Sequence, residues 1–226
     1  EHGSIQVYVT PRRIALEICD VPGCQPDTTR EARGPRKTAA LDANGAWTMP
    51  AKRFAESQGV GPDAIEFREQ GGNEYCFVSV PVKGRTIAEL LPALVAGFFK
   101  GLSFGKTMGW ENTTAVFSRP VRWLLALHGS TSLPVAWSLR DEDANGPARV
   151  LHSGTVSYGH RRLKPGPVAI NTAAEYLSRL RAHDVLAVRD ERMQALRDRS
   201  QALADQLGLT LEDDDGLFDE VCDLCE

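Results

Sequence analysis

Strand-like and helix-like stretches follow one another along this 226-residue chain in an order that excludes a regular β-α-β winding. Ile5 to Thr10 alternates apolar and polar residues. Ile14, Leu16 and Ile18 carry the same period of two past Pro11, which predicts two short strands around a Thr10-Pro11 break. Pro22 to Pro35 is rich in Pro, Gly and charge without apolar periodicity and reads as an exposed connection. Pro50 suits a first helical turn and Gly59 a stop, which predicts a short helix over Ala51 to Gln58. Gln70-Gly71-Gly72-Asn73 between Ile65–Glu69 and Tyr75–Val82 is the best hairpin signal in the chain.

The second half is similar in kind. Thr86-Ile87-Ala88-Glu89 is a capping box opening a helix to about Lys100, with a broad apolar face of Leu90, Leu91, Leu94, Val95 and Phe98. Val121–Leu127 and Leu133–Leu139 flank a Gly-Ser-Thr-Ser turn and predict a second, largely buried hairpin. Val168–Ile170 and Val185–Val188 read as short strands. Between them a second capping box, Thr172 to Glu175, opens a helix to about His183. Asp190 is expected to cap a long helix that Gly208 stops, and Gly216–Glu226 is helical. The expected class is therefore α+β, with mixed or antiparallel strands, packed helices, and more helix towards the C-terminus.

Composition is that of an ordinary globular chain, 42% hydrophobic and 25% charged, which excludes wholesale disorder. The formal net charge of −4 argues against a generally basic nucleic-acid binder, but it averages two unlike parts. Residues 1–164 carry 20 Lys+Arg against 16 Asp+Glu, and residues 165–226 carry 6 against 14. A domain boundary is expected there, with an α+β region and basic surface over 1–165 and a mainly helical, acidic region over 166–226. The longest apolar run, Leu90–Phe99, is broken by Pro92 and falls short of the ~20 residues of a membrane span. Five cysteines without framework spacing suit a reducing cytoplasm. The opening on Glu1 and the interrupted last helical pattern give the expectation of a fragment of a longer protein.

No Ser/His/Asp, Cys/His or P-loop signature is present. Gly101 to Thr107 ends in Gly-Lys-Thr but lacks the first glycine at P-loop spacing and follows a helix instead of a strand. Cys222-Asp223-Leu224-Cys225 is a lone CxxC inside a helical pattern, which reads as two buried helix cysteines; a metal or redox enzyme resting on the cysteines is the weaker alternative. No metal site is expected. The informative cluster is basic: Arg119 and Arg122 beside Trp123, then Arg149, His160, Arg161, Arg162 and Lys164 with Tyr158 among them. Arg12 and Arg13 sit at the first strand break, and Arg30, Arg33, Arg36 and Lys37 follow. Arginine offers a planar fork for phosphate and aromatic rings can stack on bases, whereas on composition alone the same residues could merely pair with carboxylates on a solvated surface.

Several sequence blocks resemble one family in order. Thr10-Pro11-Arg12-Arg13-Ile14-Ala15 is similar to the TPRRLA opening of the β subunits of bacterial glycyl-tRNA synthetase. Phe104 to Trp110 resembles FPKxMRW, Phe117 to Leu124 resembles FxRPxHWL, Gly159 to Leu163 resembles GHRFL, and Leu217 to Val221 resembles LLEEV. Gly109, Arg122 and Arg162 depart from the family's Arg, His and Phe. The resemblance implies part of an α2β2 class II enzyme that joins glycine to its tRNA. ATP and magnesium would be used in the α subunit, and the β subunit would contribute tRNA recognition. On that basis this chain is expected to bind no cofactor itself, to be inactive alone, to be cytoplasmic, and to partner the α subunit and tRNA. The expected tRNA contacts are Arg119, Arg122, Arg149, His160, Arg161 and Lys164, with Arg12 and Arg13. The alternative is a scaffold module without direct RNA contact.

Overall fold

The computed structural model describes residues 2–110, 115–139 and 150–226. Two compact units are formed. Residues 24–86 make the smaller, and residues 1–23 with 87–226 make the larger. The change in charge balance at 165/166 lies inside the larger unit. The architecture is α+β, built from small, mostly antiparallel sheets with helices gathered towards the C-terminus.

The larger unit begins with the expected hairpin, β1 (Ile5–Thr10) against β2 (Arg13–Ile18). Its register pairs Ile5 with Ile18, Val7 with Leu16 and Val9 with Ile14, all on one face. That face is open to solvent, each of the six residues being 39–58% exposed. The opposite face carries Tyr8, which packs on Leu180, Val185 and Ala187, and the buried Thr10 and Arg13.

The smaller unit is a three-stranded sheet ordered β3-β5-β4, made by β3 (Thr28–Arg36), β4 (Glu66–Gln70) and β5 (Asn73–Val82). Helices α1 (Lys37–Ala40) and α2 (Met49–Ser57) pack against it. Gly71 and Gly72 both have positive φ, as the tight β4–β5 turn demands. Ala40, Ala51, Ala55, Ile65, Cys76 and Val78 form the core, with Trp47, Phe54 and Phe67 around them. Strand β3 corrects the expectation of a loose connection through Pro35. It lacks apolar periodicity because its side chains are largely exposed, and backbone pairing to the central β5 holds it. Its glycine is required: a Cβ on Gly34 would lie 2.6 Å from the Phe54 ring.

The chain then returns to the larger unit through α3 (Ile87–Gly101). The broad apolar face expected of α3 is only part-covered. Phe99 stacks on Trp137 with centroids 3.9 Å apart, while Leu94 and Phe98 stay exposed. The single hairpin expected over 121–139 is instead shared among several pairings. β7 (Leu127–His128) and β8 (Thr131–Ser132) form a short turn, whereas β6 (Leu124–Leu125) and β9 (Ala136–Ser138) both pair with β10 (Val150–Gly154), β6 in parallel. Apolar runs reveal that a stretch is buried but not which strand it meets. The expected burial holds for Leu133, Val135 and Leu139. β11 (Val156–Tyr158) pairs with β12 (Pro167–Ala169), the strand expected near Val168. The Thr172–Glu175 capping box is present and leads through a 3₁₀ turn into α4 (Tyr176–Arg181).

Val185–Val188 is not a strand. Val185 and Ala187 are buried in the expected alternation, but the carbonyls of Leu186 and Ala187 accept from the Arg192 guanidinium in place of a neighbouring strand. Arg192 lies in α5 (Arg189–Leu207), whose N-cap is Val188, so Asp190 falls inside the first turn instead of capping it. Gly208 ends α5 in the left-handed conformation as expected. In α6 (Asp215–Leu224) the Asp214 side chain caps the Leu217 N–H. Cys222 is buried on α6, but Cys225 is exposed, because the helix stops one residue before it.

Candidate nucleic-acid interface

The turn of the first hairpin is held by a buried ion pair. Arg12 Nη1 and Arg13 Nη2 donate to the two carboxylate oxygens of Glu226 at 2.7 and 2.9 Å, and the Glu226 side chain is only 5% exposed. The same two arginines reach a second segment: Arg12 donates to Gly159 O and Arg13 to Tyr158 O, both at 3.1 Å. Arg13 is thus a buried clamp, while Arg12 is part-exposed. Beneath them the Tyr176 phenol is pushed up by burial, which outweighs the opposing pull of Arg13 and Ser157.

The Gly159–Lys164 segment is a tight turn built around His160. His160 Nδ1 accepts from the Arg162 and Leu163 N–H groups at 3.3 and 3.0 Å, so the neutral ring carries its proton on Nε2. Its backbone N–H donates to His183 O, and its carbonyl accepts from the Lys164 N–H. Gly159 is needed here, since a Cβ would meet Lys164 O at 2.3 Å. Lys164 Nζ donates to Ala182 O. What remains free is the tip. Arg161 and Arg162 are exposed, and neither side chain has a hydrogen-bond or ion-pair partner among the described residues.

Beside this turn a cleft of about 640 Å³ is lined by Arg12, Arg122, Trp110, Trp123 and Tyr158, with Pro120, Val121, Leu139, Val150 and Leu151. Trp123 and Tyr158 meet with centroids 5.0 Å apart and planes tilted by 58°. Arg122 is exposed and, like the exposed Arg119 before Pro120, has no partner among the described residues. Among the described residues, no carboxylate lines the cleft.

Of the residues singled out in sequence, Arg12 and Arg122 therefore share the cleft, and Arg13 sits behind Arg12 through Glu226. His160, Arg161 and Lys164 occupy the turn tethered to Arg12 at Gly159. Arg149 lies outside the described residues. In the smaller unit the remaining basic residues have local partners: Arg30 with Gln58, Arg33 with Gln70 and over the Tyr75 ring, Arg36 with Tyr75, and Lys37 with Glu74. Sequence reasoning missed Glu226 and Arg192. A lone terminal glutamate carries no pattern, and Arg192 sits among the many charges of a polar helix. No group of three or more potential metal ligands occurs among the described residues.

A family model described as glycyl-tRNA synthetase beta subunit matches residues 1–226. The chain is similar to the glycine–tRNA ligase beta subunit of Desulforamulus reducens, at 36% identity over the whole chain and 31% of the relative's length. It is 34% identical to that of Myxococcus xanthus, with the same coverage, and 35% identical over 98% of the chain to that of Moorella thermoacetica, covering 30% of that protein. The chain thus spans about a third of the length of these relatives.

Proposed function

Because the chain belongs to the glycyl-tRNA synthetase β-subunit family, we propose that it supplies tRNA-binding surface and subunit contacts to an α2β2 glycine–tRNA ligase of the cytoplasm. Glycine activation with ATP and magnesium takes place in the partner subunit, and this chain binds no cofactor and is inactive alone. Its own residues bind and orient the RNA, which brings the terminal hydroxyl to the reacting centre without joining the chemistry.

One observation carries this proposal. In the larger unit, Arg119, Arg122, Arg161 and Arg162 are exposed without carboxylate partners among the described residues, around an aromatic cleft whose described lining holds no carboxylate. Cations that fold stability does not consume are available to phosphate. Arg12, Arg13, His160 and Lys164 act chiefly by holding the turn and the cleft in place, while Arg149 adds charge to the same stretch of sequence. The acidic 166–226 region repels phosphate and restricts RNA to the basic side.

The experiment is Arg161→Ala in the assembled enzyme. The tRNA KM should rise while glycine-dependent ATP–pyrophosphate exchange and thermal stability stay unchanged. An unaltered tRNA KM, or exchange activity in a preparation lacking the partner subunit, would count against the proposal.

A scaffold role is the second reading, favoured by the open apolar face of the first hairpin. Three exposed apolar cross-strand pairs suit a protein contact better than an RNA contact.

A further inference from the structure

We propose that the Trp123–Tyr158 cleft is a pocket for one ribonucleotide unit, its base against the aromatic pair and its phosphate on Arg122. This rests on the RNA-binding function above and adds a defined ligand at a defined place. The cleft's volume of about 640 Å³ falls in the ~300–1,000 Å³ range of small-ligand sites. Its walls divide by chemistry. Trp123 and Tyr158 form an aromatic wall, Pro120, Val121, Leu139 and Leu151 are apolar, and Arg12 and Arg122 supply positive charge. That combination fits a flat aromatic group joined to an anion.

The two arginines are not equivalent. Arg12 Nη1 is committed to Gly159 O and Glu226, whereas Arg122 is exposed and without a partner among the described residues. Arg122 is therefore the phosphate ligand. Tyr158 is part of the built site, because its carbonyl is fixed by Arg13, which is itself fixed by Glu226. The backbone that carries the ring is thus fixed and the ring rests on Trp123, which limits the ordering cost of binding. A tilted Trp–Tyr pair leaves ring surface free, and Tyr158 keeps 39% of its surface exposed. Bases inside a duplex present no free face, so an RNA ligand enters as an unpaired nucleotide.

The test measures binding of AMP, a six-residue oligoadenylate and a short RNA duplex to the purified chain, with Trp123→Ala and Arg122→Gln. Loss of one stacking contact should weaken oligoadenylate roughly 5- to 150-fold in Trp123→Ala and leave the duplex unchanged. Arg122→Gln should lower the dependence on salt by about one ion-release contact. Because Arg122 is exposed and Trp123 is part-buried, Arg122→Gln keeps its fold even if Trp123→Ala loses stability, and the thermal midpoint checks both. Competition by AMP at the same concentration as oligoadenylate would assign the pocket to a free nucleotide, and preference for oligoadenylate would assign it to an RNA chain. Either result supports the pocket. If wild type binds the duplex and oligoadenylate but neither variant changes the latter, the pocket is overturned and the wider RNA function stands. If wild type binds no RNA and no AMP, both fall.

Discussion

Replacing Arg192 by Met should be among the most damaging single changes in the larger unit. The Arg192 residue is 5% exposed. Its guanidinium donates to four backbone carbonyls: Leu186 O at 2.7 Å, Ala187 O and Val9 O at 3.1 Å, and Cys222 O at 3.2 Å. It thereby ties β1, the segment before α5, and α6 to one helix. Hydrogen bonds from a charged donor contribute about 1.5–3 kcal/mol each, but burying the cation has its own cost, so the contributions do not simply add. Methionine keeps an unbranched apolar stem, removes the charge and leaves the carbonyls short of a donor. A net loss of about 3 kcal/mol is expected, near the lower end for breaking a buried charged network. For folded units of about 150–250 residues this lowers the thermal midpoint by roughly 6–12 °C. Thermal and urea unfolding followed by circular dichroism would measure it. Arg189→Ala is the control, because its pairs with Asp219 and Asp223 are exposed and should matter far less. A loss below about 1 kcal/mol for Arg192→Met would refute the assignment of this side chain as the tie between elements.

Tyrosine titration should split in two directions. The hydrogen bond to Glu17 pushes Tyr8 up to about 12, burial raises Tyr176 and the Arg36 hydrogen bond lowers Tyr75, so phenolate absorbance should show an early and a late component, and Tyr8→Phe should shrink the late one while leaving the Tyr176 part of it. Since the Tyr8 value is raised on folding, its stabilisation is complete below its ordinary pKa of about 10 and fades as pH climbs towards the folded value; a wild-type stability curve matching that of Tyr8→Phe through this window would contradict it. With a thiol reagent, Cys19, Cys24 and Cys225 should react in the native chain, and Cys76 and Cys222 only on unfolding; five equally fast thiols would contradict the burial pattern. Gly159→Ala places a Cβ against the Lys164 carbonyl and should cost about 1–3 kcal/mol, so an unchanged melting point would show that the turn can relax.

Much of the fold was legible because its signals are local. The Gly71-Gly72 turn, the capping box at Thr172, the stop at Gly208 and the first hairpin all depend on residues within a few positions of one another. Pairings set by distant partners were not legible. Strand β3 has exposed charged side chains and is specified by its neighbour, and β6 finds β10 across more than twenty residues. The Val185–Val188 stretch shows the same limit: its alternating burial was correct, but an arginine several residues later takes the place of the partner strand. For the candidate site, cation and aromatic types were readable, and so was their crowding in sequence. Which arginines fold stability consumes was not, because Arg13 and Arg161 read alike in sequence, and it is the Tyr158 carbonyl and a glutamate more than two hundred residues away that take up Arg13.

The salt dependence of tRNA binding tests the central claim most directly. Affinity for tRNA would be measured across a range of salt for wild type and for the Arg122→Gln, Arg161→Gln double variant. Each lost phosphate contact should flatten the logarithmic slope by roughly 0.7–0.9, so the double variant should bind more weakly with a slope shallower by about 1.5. Equal affinities and equal slopes in the two proteins, with both fully folded, would contradict the claim that these arginines hold tRNA.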